Sequence, residues 1–433
     1  MYYTVEKSVL GGEIRITPSK SHTMRAILLA SLAGGVSRVR SPLPSPDTEA
    51  MCAACGAFGA VLEEKEGDLS ITGVGGRPRV PRQVIDVGNS GQVLRFGAAV
   101  AALLPEYSVF TGDESVRSLR PMDPLLKALE QLGAFAVSSK NDGYAPIIIR
   151  GPARPGAVVM DGLDSQPVSA VLMLAAFLPG LTSVAVNNPG EKPWIDLTLH
   201  WLDRLGASCL REGYTSYRVQ GRAPEEGAYA PLDCSVPGDW SSAAFPLAAA
   251  LLTNSSLTLR NLDPDDPQGD KELLALLERM GARFTLDRRA GSVLVRAPEG
   301  GGKLRGLEAD VNGVIDALPI LAVLGCFASS PTRLSGAAAA RGKESDRLAA
   351  ITEELSKMGA RIEEYPDGLR IYPSVLRGAR VDSHGDHRIA MSLAVAALAC
   401  GNVRIENTAC VAKSFPGFAA ALRSLGASIE EGS

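Results

Sequence analysis

Short polar segments of this chain concentrate side chains able to handle anions. Pro18-Ser19-Lys20-Ser21-His22-Thr23-Met24-Arg25 sets two cations and several hydroxyls within one helical turn. Ammonium, guanidinium and hydroxyl donors all suit phosphate oxygens, so the segment reads as an oxyanion cradle, although a capped helix with solvated charges looks the same. It lacks the Gly-x-x-x-x-Gly-Lys-Ser/Thr spacing of a P-loop, which disfavours nucleoside triphosphate hydrolysis. Asn89-Ser90-Gly91 is a turn whose glycine lets backbone N–H groups approach a ligand closely. Arg120-Pro121 and Asp164-Ser165-Gln166 are weaker signals. Arg341-Gly342-Lys343-Glu344-Ser345-Asp346-Arg347 reads as the start of an amphipathic helix, where its charges fit either a ligand site or an ordinary i,i+4 surface lattice. Asp386-His387-Arg388 opens an apolar helix, where unpaired charge is costly, and Lys413 precedes Ser414-Phe415-Pro416. Cations at matching places in different repeats predict a cleft that takes more than one anion.

The elements that position these residues repeat. Gly-Ala follows an amphipathic stretch at Gly59, Gly133, Gly206, Gly281, Gly359 and Gly426, at spacings of 74, 73, 75, 78 and 67 residues. Each pair marks a helix end turning into a strand. In phase with it, a polar loop six times opens an almost wholly apolar, Ala/Leu-rich segment, the pattern of a helix buried on every side, with Ser, Asn or Asp as its N-cap. The period exceeds that of ordinary solenoids. It predicts an α/β (α+β) fold of six small subdomains, three per lobe: residues 18–237 as the N-terminal lobe, and 1–17 with 238–433 as a discontinuous C-terminal lobe. Free N–H groups at the buried helices' starts favour anions.

Composition bounds the reading. The 433 residues are 45% hydrophobic, 21% charged and only 5% aromatic, so a core of Ala, Leu, Val and Gly is expected and disorder is excluded. A net charge of -4 argues against nucleic acid or an anionic membrane as partner. Cys52 and Cys55 form a lone Cys-x-x-Cys in Ala-rich surroundings and read as buried thiols. Neither a signal pattern nor a membrane span is evident, and a reduced, cytoplasmic location is expected.

Taken together, Lys20-Ser21 with Arg25, Asn89-Ser90-Gly91, Arg120-Pro121, Asp164-Ser165-Gln166, Gln268-Gly269-Asp270, Lys343 to Arg347, Asp386-His387-Arg388 and Lys413 to Pro416 resemble, in order and register, the 5-enolpyruvylshikimate-3-phosphate synthase family along essentially the whole chain. The resemblance implies a two-lobed inside-out α/β barrel of six βαβαββ units closing over its substrates. It implies transfer of the enolpyruvyl group of phosphoenolpyruvate to the 5-hydroxyl of shikimate 3-phosphate, with no cofactor and no metal, by a protein expected to be a monomer. Carried over by position, Lys20, Ser21, Arg25, Ser165, Gln166, Asp316 and Lys343 would meet shikimate 3-phosphate. Lys20, Asn89, Gly91, Arg120, Gln166, Arg347, Arg388 and Lys413 would meet phosphoenolpyruvate. Asp316 matches the proton acceptor, and Glu344 and Lys20 are both candidates for the acid that protonates the methylene carbon. Arg and Lys side chains would stabilise the tetrahedral intermediate from which phosphate leaves.

The sequence departs from the common family pattern at six places. Asp164 and Glu191 stand where Ser is usual, and a carboxylate at 164 would repel the 3-phosphate unless it points away. Trp194 replaces Tyr, Gln92 takes a common Thr position, Phe96 a common Pro position, and Ala339 a common Asn position. Gly91 leaves the phosphoenolpyruvate pocket open, which predicts inhibition by glyphosate. The related UDP-N-acetylglucosamine enolpyruvyl transferase is disfavoured, since no Cys lies near Arg120. A non-catalytic anion-binding scaffold is the remaining alternative.

Overall fold

A computed structural model describes residues 1–296 and 303–433. The chain separates into two compact units, one of Met1–Ser19 with Pro237–Ser433 and one of Lys20–Val236. Among the described residues the strands form six four-stranded sheets of one design. In the sheet built on Val36–Arg40, that strand runs parallel to Asp233–Ser235 and antiparallel to Asp68–Thr72, which in turn pairs antiparallel with Val61–Lys65. The other five follow the same parallel, antiparallel, antiparallel order. The N-terminal strands belong to the second half: Gly11–Arg15 lies parallel to Ser256–Arg260, and Tyr2–Val5 sits between Val403–Glu406 and Ile429–Gly432.

The helices of the Lys20–Val236 unit are α1 (Lys20–Leu32), α2 (Pro46–Ala57), α3 (Gly91–Ala101), α4 (Glu114–Ser118), α5 (Asp123–Gln131), α6 (Ser165–Ala175) and α7 (Lys192–Leu205). Those of the other unit are α8 (Trp240–Leu252), α9 (Leu273–Arg279), α10 (Leu318–Phe327), α11 (Arg347–Lys357), α12 (His387–Cys400) and α13 (Phe418–Ser424). The apolar segments form α1, α3, α6, α8, α10 and α12, buried on nearly all faces. In one unit α3 packs on α1 and α6; in the other α8, α10 and α12 pack on one another. Small Ala and Gly side chains permit that close approach, which accounts for the scarcity of aromatics.

The Gly-Ala series has one cause. All six glycines have positive φ, between 81° and 102°, a conformation glycine adopts without the Cβ clash of other residues. Each following Ala donates its N–H back to the carbonyl five residues earlier, as Ala60 does to Cys55 and Ala360 to Leu355. This closure satisfies the orphan carbonyls of a helix end.

Two sequence expectations need correcting. Lys343 and Glu344 do not lie on α11, which starts only at Arg347; they precede it, and both are buried. The surface-lattice reading therefore fails. Nor does Asn312 cap α10: residues Asn312–Ala317 form a 3-10 turn, kinked at Val314, and α10 begins at Leu318 without a side-chain cap. That turn puts Asp316 off the helix, where its carboxylate meets cations. Cys55 is buried and Cys52 half-buried, and burial pushes their thiols up to about 12 and about 11.

Candidate active site

Several of the singled-out polar residues sit at helix starts, where backbone donors and side-chain caps gather. Ser90 caps α3, Asp164 α6, Asp239 α8 and Asp386 α12, each accepting from a main-chain N–H of the first turn.

In the unit Pro237–Ser433 with Met1–Ser19, one guanidinium organises the site. Arg347, about 1% exposed, donates from Nη1 to Asp316 Oδ1 (2.6 Å), from Nε to Asp386 Oδ2 (2.7 Å) and from Nη2 to Glu344 Oε2 (2.8 Å). Arg388 Nη2 donates to the other oxygen of Asp316 at 3.3 Å, and Lys413 Nζ lies 2.8 Å from Glu344 Oε1. Ser345 Oγ donates to Asp386 Oδ2 at 3.2 Å. Burial opposes ionisation of Asp316, but Arg388, Arg347 and Lys343 outweigh it and hold the carboxyl well below the usual range. Burial likewise opposes the charge on Arg347, while Asp386, Glu344 and Asp316 raise its pKa well above normal. The structure thus brings Asp316, Lys343, Glu344, Arg347, Arg388 and Lys413 into one cluster. Asp386, whose role in pairing Arg347 the sequence reading missed, binds it together. A charge opening an apolar helix was the available signal.

In the Lys20–Val236 unit the groups form smaller sets. Lys20 opens α1 with Nζ 3.5 Å from Asp47 Oδ2, in the first turn of α2. Arg25 is buried: its Nε donates to Thr198 Oγ1 (2.9 Å), Nη1 to the Ser21 carbonyl (3.1 Å) and Nη2 to the Trp194 carbonyl (3.3 Å). Its guanidinium lies 5.4 Å from the Phe96 ring centroid, a cation–π distance. Asn89 Nδ2 donates to Asp113 and Ser115. Gly91, Gln166 and Arg120 converge, since a Cβ at Gly91 would lie 3.0 Å from Arg95 Nη1, 3.5 Å from Gln166 Oε1 and 3.7 Å from Arg120 Nη1.

Arg95 is the functional residue that sequence reasoning missed in this unit. Its Nη1 donates to Gln166 Oε1 at 2.7 Å and its Nη2 lies 3.0 Å from Asp164 Oδ2. An arginine four residues after Gly91, inside an otherwise apolar helix, must be paired, and that was the signal. Asp164 accepts from the Gln166 N–H at 2.9 Å. Glu191 Oε2 accepts from both the N–H (3.0 Å) and the hydroxyl (2.8 Å) of Ser165. Trp194 and Gln92 are buried, and Ala339 is half-buried.

Among the described residues, two groups offer three metal-ligating atoms close together: Glu344, Asp386 and His387, and Glu353, Glu354 and His384. In the first, both carboxylates already accept from Arg347. What this cluster can do is exchange: an anion arriving with carboxylate or phosphate oxygens can take over donors now given to protein carboxylates.

Known proteins carry the same arrangement of sequence. Residues 5–422 match the family described as EPSP synthase (3-phosphoshikimate 1-carboxyvinyltransferase). The 3-phosphoshikimate 1-carboxyvinyltransferase of Acetivibrio thermocellus is 43% identical over 430 residues, covering 99% of each chain. That of Chlamydia caviae is 44% identical over 434 residues, covering 99% of this chain and 94% of its own. The solved EPSP synthase of Acinetobacter baumannii aligns with a TM-score of 0.80 at 27% identity, over 99% of this chain and 100% of its own. NikO, an enolpyruvyl transferase from Streptomyces tendae, shares the fold with a TM-score of 0.79 at 20% identity, over 99% and 98%. The α/β class expected from the repeats is borne out. With the match running nearly end to end, the chain belongs to the EPSP synthase family.

Proposed function

We propose that the clustered cations and carboxylates carry out the family reaction in this chain, with the following division of labour. The reaction is transfer of the enolpyruvyl group of phosphoenolpyruvate to shikimate 3-phosphate, a step of the shikimate pathway. Lys20, Ser21, Arg25, Ser165, Gln166, Asp316 and Lys343 serve the acceptor. Lys20, Asn89, Gly91, Arg120, Gln166, Arg347, Arg388 and Lys413 serve phosphoenolpyruvate.

Protonation of the methylene carbon, by Glu344 or Lys20, makes the phosphate-bearing carbon of phosphoenolpyruvate electrophilic. The acceptor's 5-hydroxyl attacks it and loses its proton to Asp316, giving a tetrahedral intermediate. Expulsion of phosphate, with loss of a methyl proton, restores the double bond on the new ether. Charge on the departing phosphate is met by guanidinium and ammonium groups already fixed in place.

The single observation that carries this reading is Arg347, which donates at once to Asp316, Glu344 and Asp386. The proposed base, one proposed acid and the cations Arg347, Arg388 and Lys413 thereby form one hydrogen-bonded unit. Its electrostatics also time the base. The cations hold Asp316 as a weakly basic carboxylate. A bound phosphoenolpyruvate neutralises part of their field, and the carboxylate becomes a better proton acceptor only once substrate is present.

The chain is read as a cytoplasmic monomer. Among the described residues no helix is long and apolar enough to cross a membrane. Inhibition by glyphosate is expected from the absence of a side chain at Gly91. Phosphate release from phosphoenolpyruvate tests the function: turnover is expected with shikimate 3-phosphate and not with UDP-N-acetylglucosamine. Inactivity of the folded protein with both would favour a scaffold.

A further inference from the structure

Glu191 is conformationally unusual and buried. Its backbone sits at φ 46° and ψ 41°, left-handed space that a side chain rarely occupies, and only about 1% of the residue is exposed. It stands immediately before α7, and its side chain makes no capping hydrogen bond to that helix. Instead its Oε2 reaches the first residue of α6, taking both the N–H and the hydroxyl of Ser165. Asp164 takes the next N–H, that of Gln166. A helix start with a hydroxyl is the kind of place that attracts a phosphate, and both donors of Ser165 already serve an internal carboxylate.

We propose that Glu191 is a resident anion on the acceptor side, a specificity-determining residue that the phosphate of the acceptor must displace from Ser165. The inference rests on the proposed placement of Ser165 with shikimate 3-phosphate. A dianion approaching Ser165 meets like charge from Glu191 and, beside it, from Asp164, whose Oδ2 lies 3.0 Å from Arg95 Nη2. Affinity for the phosphorylated acceptor is therefore held below what the donors alone would give. Recognition of the ring, through Gln166 and other groups, is untouched.

The test is calorimetric titration of the full chain with shikimate 3-phosphate and with shikimate, which lacks the phosphate, alongside steady-state kinetics. Glu191→Gln keeps the size and an acceptor oxygen but removes the charge. It is expected to tighten shikimate 3-phosphate by at least about threefold while shikimate and the KM for phosphoenolpyruvate stay within about twofold. Glu191→Gly, which also suits the positive φ, should act in the same direction and guards against a folding defect of the first variant. Unchanged or weaker binding of shikimate 3-phosphate in both variants overturns the proposal, since Glu191 would then be ordering Ser165 for the ligand. Equal tightening of both ligands overturns it as well. Absence of wild-type turnover would instead count against the proposed function, with the ratio of the two dissociation constants still deciding the role of Glu191. Binding of neither ligand to any of the three proteins overturns both.

Discussion

Arg347 in one unit and Arg25 in the other are both fully buried guanidinium groups, and their surroundings are opposite. Arg347 is ringed by Asp316, Glu344 and Asp386. Arg25 meets a hydroxyl, two carbonyls and the Phe96 ring, all neutral. Accordingly the carboxylates raise the pKa of Arg347 well above normal, whereas burial pushes that of Arg25 down to about 9. Charged partners make a site whose donors can be traded for a substrate's oxygens. Neutral partners add a structural task to the acceptor role proposed for Arg25: it ties Ser21 on α1 to Trp194 and Thr198 on α7.

The sharpest way to break that contrast is to remove each guanidinium. Arg347→Leu leaves three carboxylates facing one another, two of them buried, and should cost about 3–5 kcal/mol of stability along with turnover. Denaturant midpoints measure it. A loss no larger than that of a surface substitution would mean the three carboxylates are adequately solvated without the arginine, and the hub would lose its meaning. Asp316→Ala comes next. It keeps Arg347 paired with Glu344 and Asp386, so the protein stays folded while phosphate release falls by about 10²–10⁴-fold. Turnover at the wild-type rate would remove Asp316 from the base role. Arg25→Met is the milder counterpart, stranding only neutral acceptors at about 1–3 kcal/mol. If it destabilised as much as Arg347→Leu, the neutral shell would be as demanding as the charged one.

Much of this contrast was visible in the sequence, and what escaped did so for a reason. The Gly-Ala series exposed the repeat because a positive φ at a helix end strongly selects glycine, as at Gly59 and Gly359. Arg347, Arg388 and Lys413 were legible because their types and repeat positions coincide. Pairing was not. Nothing local announces that Arg347 meets Asp386 from 39 residues away, or that Arg95 on α3 meets Gln166 on α6. Helix starts are also blurred in the sequence: a charged stretch such as Lys343-Glu344 before an amphipathic run looks the same whether it is solvated or buried ahead of the helix. Asp164 and Glu191 were recognisable as departures. That Glu191 would occupy Ser165 depends on a left-handed backbone that no propensity favours for glutamate.

The smallest expected effect concerns whether the carboxylate-rich cluster holds a neutral acid. Asp270 is about 1% exposed; Ser241 Oγ donates to its Oδ2 at 2.6 Å, and its Oδ1 has no hydrogen-bond partner. Burial, then the negative fields of Asp316 and Asp239, push its pKa up, with Ser241 and Arg388 pulling the other way. A carboxyl raised above its unfolded value of about 3.9 contributes its full stability below about pH 4 and loses it as pH rises through the folded value. Asp270→Asn removes that titration. The variant should match the wild type or fall slightly below it at pH 4, and exceed it by about 1 kcal/mol at pH 8. Urea midpoints at the two pH values measure the difference, and an effect of equal size at both would show Asp270 to be ionised throughout. Charge balance gives the point its weight. With Asp270 neutral, Lys343, Arg347, Arg388 and Lys413 face one negative charge fewer. An ionised Asp270 would weaken the cluster's attraction for an anionic substrate.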